Sequence, residues 1–196
     1  MPKPVRSPVL CRTALLAAAL AFSSHVQSQA APPNDFSELV KLSAARLELS
    51  RQVALAKWDS GHPVADPEGD PREAQVIKAA AEAGEQKGLP SALAGSFFAD
   101  QIEASKLVQI VLIAEWTRAG RAPAGPRTDL KGQLRPALDR LQPLFIEELA
   151  DTRRLRTATT CRAELADAVA EHVRANALTP LFAAALDRGL ARVCSA

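Results

Sequence analysis

No tyrosine occurs in this sequence, and histidine and cysteine occur only three times each. Threonine and isoleucine are sparse, and no segment alternates apolar and polar residues as a half-buried strand does, which argues against a β fold. No run approaches 18 consecutive apolar residues, the least a membrane-spanning helix needs. There is no Ser-His-Asp arrangement, no phosphate-binding loop and no His/Cys set at metal-ligand spacing. Nucleophilic hydrolysis, nucleotide chemistry and zinc catalysis therefore lack their carriers.

Export explains the cysteine and charge usage. Lys3, Arg6 and Arg12 make a positive start, residues 14–22 (ALLAAALAF) a short apolar stretch, and Ser28-Gln29-Ala30 a small-x-small cleavage signature. Residues 1–30 are expected to be a cleaved signal peptide, with residues 31–196 forming a single all-helical domain located in the periplasm or secreted. Cys11 lies ahead of the apolar stretch, which is the wrong place for a lipid anchor. Removing residues 1–30 leaves 21 basic against 22 acidic residues in 166, so the apparent basicity is an export feature. It gives no reason to expect nucleic acid or a membrane surface as a partner after cleavage. The mature chain keeps Cys161 and Cys194, which in an oxidising compartment are expected to form one disulfide; two buried free thiols are the alternative. His62 and His172 have no ligand spacing to either cysteine, so no metal is expected.

Composition and periodicity predict about six helices. The first covers residues 37–58, the second begins at Asp70-Pro71 and ends near Gly88, and the third runs from Pro90 to about Arg118. A fourth, capped by Thr128-Asp129, is expected to reach Arg156, with a kink or a broken start from Pro136 and Pro143. The fifth spans about 160–174 and the sixth about 179–193. A Cys161–Cys194 bridge would tie the last two as an antiparallel pair.

Two helices carry the same irregularity. In the first, Leu39, Val40, Leu47, Val53, Ala54 and Trp58 gather on one arc, and Arg46 and Lys57 fall inside it. Eleven residues apart, they point within about 20° of each other. In the third, Ser105 and Gln109 sit inside the arc of Phe98, Ile102, Val108, Leu112, Ile113 and Trp116, while Asp100, Glu103, Lys106 and Arg118 lie off it. Arg72 and Glu73 open the second helix. Each has an ordinary explanation: a hydroxyl bonding back to its own helix, a satisfied core amide, a snorkelling cation. Together they describe a cationic polar pocket with no acidic residue evidently available to neutralise both cations, so the missing anion reads as a dianionic ligand. Such a set suits catalysis by positioning and fixed charge, or simple binding.

These residues resemble the all-helical (AroQ-class) chorismate mutases, specifically the exported gamma subclass. The likeness rests on Arg46-Leu47…Lys57-Trp58, on PVADPEGDPREAQVI at the second helix, on FFADQIEASKLVQ, on DLKGQLRPALDRL, and on the two late cysteines. The resemblance implies the Claisen rearrangement of chorismate to prephenate, without cofactor or covalent intermediate. It implies that Arg46, Arg72, Arg135 and Ser105 hold the carboxylates, that Lys57 and Gln109 donate to the ether oxygen, and that Glu73 accepts from the ring hydroxyl. Arg127 and Arg140 are the other candidates for the late arginine, and Asp66 and Asp70 both remain candidates for the aspartate before the second helix. Each subunit could hold a complete site. Leu107, Ile110 and Val111 widen the apolar surface of the third helix, which allows burial on a second side or a homodimer contact. The competing reading is a non-catalytic helical binding protein for a small dicarboxylate.

Overall fold

The computed structural model describes Met1, residues 35–65 and residues 71–194. The signal segment up to Ala30, and Asp66 and Asp70, lie outside the described residues (Met1 aside). Two units divide at residues 32 and 33, and the second carries everything below.

All regular structure among the described residues is helical. The elements are α1 (Ser37–Ser60), α2 (Arg72–Gln86), α3 (Ser91–Ala119), a π-helical turn (Leu130–Leu134), α4 (Arg135–Asp151), α5 (Arg153–Arg156), α6 (Cys161–Ala175) and α7 (Pro180–Gly189). None is long and apolar enough to cross a membrane. Helix α3 is the centre of the bundle, packing on α1, α2 and α7, while α1 also meets α4, α6 and α7. The core is Phe36, Leu39, Leu47, Phe97, Phe98, Phe145, Leu149, Leu186 and their neighbours. Phe97, Phe98 and Phe145 meet edge to face, with ring centroids 5.3–5.8 Å apart, a favoured aromatic geometry.

The expected fourth helix is three pieces, the π-helical turn, α4 and α5, so the described residues hold seven α-helices and that turn. Asp129 accepts from the Gly132 N–H and caps the π-helical turn. Pro136 falls in the first turn of α4, where its missing N–H has no intrahelical partner to lose. Pro143 lies inside α4 without ending it. The break comes instead at Thr152, after which α5 makes one turn. Pro71 precedes α2, so the helix starts at Arg72. Thr179 is extended and Pro180 opens α7.

Two close contacts set the packing around α3. A Cβ on Gly84 would stand 2.6 Å from the Ala94 Cβ, so glycine is what lets α2 and α3 approach there. Asp100, which lies off the apolar arc of α3, is nonetheless only 1% exposed. The reason is tertiary: α7 and the turn after it cover that side. Arg192 donates to both Asp100 oxygens at 2.6 Å, and Arg188 donates to Oδ1. Burial works against the charged carboxyl, but the hydrogen bonds from the two arginines outweigh it and hold its pKa below the ordinary value. Cys161 and Cys194 are bonded, tying the start of α6 to the turn that ends α7. Leu107 and Val111 are half-buried and Ile110 is exposed, so this side of α3 is not fully covered within the chain.

Candidate active site

One cavity, of about 110 Å³, is lined by α1, α2, α3, α4 and the π-helical turn. Its two long walls are built on the same comb. From α1 come Arg46, Ser50, Val53 and Lys57; from α3 come Phe98, Ile102, Ser105 and Gln109. Each set is spaced i, i+4, i+7, i+11, which keeps one helix face for three turns. Arg72, Glu73 and Val76 enter from α2, and Arg135, Leu138, Asp139 and Gln142 from α4, again one face at i, i+3, i+4, i+7. The structure thus brings Arg46, Lys57, Arg72, Glu73, Ser105, Gln109 and Arg135 to one place. Arg127 is elsewhere, bonded to Asp59 and to the carbonyls of Pro123 and Gly125, and Arg140 does not line the cavity.

Arg46 and Lys57 are 7% and 8% exposed. The Arg46 Nε has no hydrogen-bond partner although it is buried. Burial lowers the Arg46 guanidinium from its ordinary value to about 10; Asp139 opposes that and Arg72 adds to it. Lys57 Nζ donates to the Val64 carbonyl at 2.5 Å. Gln109 is 6% exposed, and its Oε1 is buried with no donor. Buried polar atoms are nearly always bonded, and orphans mark a place where something else belongs.

Two side chains are already engaged. Ser105 Oγ donates to the Gln101 carbonyl at 2.8 Å, the back-bond an intrahelical serine ordinarily makes. Its oxygen is still open to accept, but giving a proton to a ligand requires the hydroxyl to rotate. Glu73 accepts from Lys106 Nζ at 2.7 Å, and Lys106 also donates to Glu103 at 3.2 Å. Burial disfavours the Lys106 ammonium, yet these two bonds outweigh it and raise its pKa. A carboxylate has several acceptor positions, so Glu73 can still receive another hydrogen bond.

Asp139 is a second acid at the site, beside the expected Glu73. It lines the cavity and accepts from Arg72 Nη2 at 3.2 Å. Spacing along the chain does not announce it, since 67 residues separate it from Arg72; the signal is its place on one α4 face with Arg135. It does not neutralise the site. Five cations (Arg46, Lys57, Arg72, Lys106, Arg135) face two carboxylates (Glu73, Asp139) among the described lining residues. A ligand with two negative charges still meets net positive charge. The described residues contain no group of His, Cys, Asp and Glu arranged to hold a metal ion.

Comparison with known proteins gives a consistent result. A family model described as chorismate mutase type II matches residues 37–110. The crystal structure of a chorismate mutase from Burkholderia phymatum superposes with a TM-score of 0.78 at 44% identity, covering 82% of this chain and 96% of that one. The chorismate mutase of Burkholderia thailandensis gives 0.76 at 38% identity, covering 81% and 98%. A secreted chorismate mutase of Mycolicibacterium smegmatis is 28% identical over 183 residues, 92% of this chain and 99% of the relative.

Proposed function

The chain belongs to the type II, all-helical chorismate mutases, and from that premise we propose how its cavity residues divide the rearrangement of chorismate to prephenate. It is an isomerase that works outside the cytoplasm, as its secreted relatives do. We assign residues 1–30 as the signal peptide removed on export. The binding-protein reading is not favoured.

The reaction breaks the ether C–O bond and forms a C–C bond within one molecule, so no group transfers to the protein. What the protein supplies is conformation and charge. Arg46, Arg72 and Arg135 take the two carboxylates of chorismate and hold its flexible ether in the compact shape from which the new bond can form. Asp139 keeps Arg72 aimed at the cavity. Ser105 adds a carboxylate contact after its hydroxyl turns away from Gln101. Glu73, held by Lys106, accepts from the ring hydroxyl. Lys57 and Gln109 donate to the ether oxygen as it gains negative charge.

The magnitudes suffice. A millionfold acceleration needs about 8 kcal/mol off the barrier. One preorganised donor to a developing oxyanion contributes about 3–4 kcal/mol in a site shielded from water. Two donors and an orienting clamp reach that total. All seven residues belong to one chain, so the proposed chemistry needs no residue from a second subunit.

The observation that carries this reading is the buried Arg46, whose Nε donor is unbonded among the described residues in a cavity where five cations face two carboxylates. The test is chorismate consumption by the purified mature chain, followed at the chorismate absorbance band, in wild type, Lys57→Ala and Arg46→Ala. Lys57→Ala is expected to lower kcat by about 100- to 1000-fold, because its contact strengthens in the transition state. Arg46→Ala is expected to raise KM as well. A Lys57→Ala enzyme that changes only KM would remove Lys57 from the ether oxygen.

A further inference from the structure

A second cavity, of about 500 Å³, lies where the start of α3 meets α5. Pro90, Ala92 and Leu93 give it an apolar wall, and Arg153 and Arg156 bring two guanidinium groups. No acidic residue is among its described lining residues, and none of them belongs to the first cavity.

Arg156 is 6% exposed. Its Nε donates to the Leu149 carbonyl at 3.1 Å, which accounts for one of its five N–H donors. Arg153 is exposed and donates through Nη2 to the Gly88 carbonyl at 2.5 Å. Both arginines therefore bond neutral carbonyls, and neither is paired with a carboxylate among the described residues. Burial, and then the charge of Arg153, push the Arg156 guanidinium below its ordinary value. A buried cation beside a second cation is costly unless an anion joins them. The hydroxyls carry no charge to offset the two cations, and both are back-bonded: Ser96 donates to the Leu93 carbonyl and Thr157 to the Arg153 carbonyl, both at 3.1 Å. The 29-residue α3 also begins beside this cavity without a side-chain cap, adding the positive end of its dipole.

We infer that this cavity is a second ligand site, which takes a small organic carboxylate with its charge between Arg153 and Arg156 and its apolar body on Pro90, Ala92 and Leu93. The charge requires an anion; the apolar wall selects an organic carboxylate over inorganic phosphate, which has nothing to lay against it.

Benzoate is a suitable probe, titrated calorimetrically into the mature chain, with chloride at equal ionic strength as the control. The expected result is a benzoate site whose Kd weakens at least tenfold in Arg153→Ala and in Arg153→Glu. The same site should stay within twofold of wild type in Arg135→Ala, which alters only the first cavity. Phosphate should bind it at least tenfold more weakly than benzoate. Absence of benzoate binding overturns the inference, as does binding that Arg135→Ala removes and Arg153→Ala leaves intact, and so does phosphate binding as tightly as benzoate. The Arg153 variants carry the test because Arg156 also holds the end of α4 through Leu149. Chorismate turnover is measured separately, so failure here leaves the proposed catalysis standing.

Discussion

At the residue scale, the role proposed for Gln109 sets how the reaction should respond to pH. Gln109 is a neutral amide and donates without first gaining a proton. Arg46, pushed down to about 10, is still cationic through the range from pH 5 to 8. Neither group changes charge there, so kcat/KM should be nearly flat from pH 5 to 8. A carboxyl at position 109 donates only when protonated, and its protonated fraction falls tenfold per unit above its pKa. Gln109→Glu is therefore expected to lose kcat/KM steeply as pH rises through that range. A flat profile in the variant would show that position 109 does not donate to the ether oxygen. Arg46 and Lys57 were visible in the sequence because two cations on an apolar arc break the helical pattern. Asp139 was not, since an acid on a partly polar helix breaks no pattern until that helix is placed.

At the element scale, α3 is held from two sides by contacts that no periodicity announces. Asp100 links it to α7 through Arg188 and Arg192. Because the folded carboxyl lies below its unfolded value of 3.8, the pair contributes stability that is fully present above that value. This stability is lost as pH falls through the lower folded one. Asp100→Asn should cost about 2 kcal/mol at pH 7, the scale of hydrogen bonds to a charged group. The difference from wild type should shrink as pH falls below 3.8, the ordinary value for the carboxyl; denaturant unfolding at pH 7 and pH 3 measures both. On the other side of α3, Gly84→Ala places a methyl carbon 2.6 Å from that of Ala94. Separating α2 from α3 should cost about 1–3 kcal/mol. It should also raise KM, since α2 carries Arg72 and Glu73; unchanged stability and KM would mean that the two helices yield freely. The combs on α1 and α3 were legible because both helices are long and regular. The three-piece fourth segment was only half legible: prolines announce a disturbance, while packing decides where it falls.

At the scale of the whole molecule, the disulfide and the active site occupy different parts of the bundle. Cys161 and Cys194 are 33 residues apart, and cross-linking a loop of that length stabilises by about 3–4 kcal/mol in the chain-entropy model. The double variant Cys161→Ser/Cys194→Ser should therefore unfold about 10 °C lower for a chain of this size. Neither cysteine lines the catalytic cavity, so kcat at 25 °C should be retained while the fold persists. A variant with unchanged thermal stability but reduced kcat would reverse that division.

The linear chain alone determined the all-helical class, the exported context, the pairing of its last two cysteines and the identity of the chief polar residues facing the cavity. Each is encoded locally, in composition or in a period of 3.6, or follows from the two cysteines that lie beyond residue 30 in a chain bound for an oxidising compartment. Tertiary structure decided what those residues meet. It gave Arg72 a carboxylate on α4, placed Lys106 against Glu73, and buried Asp100 under α7 and the turn after it. It also chose Arg135 over Arg127 and Arg140 as the arginine that lines the cavity. Those outcomes depend on which side chains of different helices come within hydrogen-bond reach, and such distances follow from packing rather than from spacing along the chain.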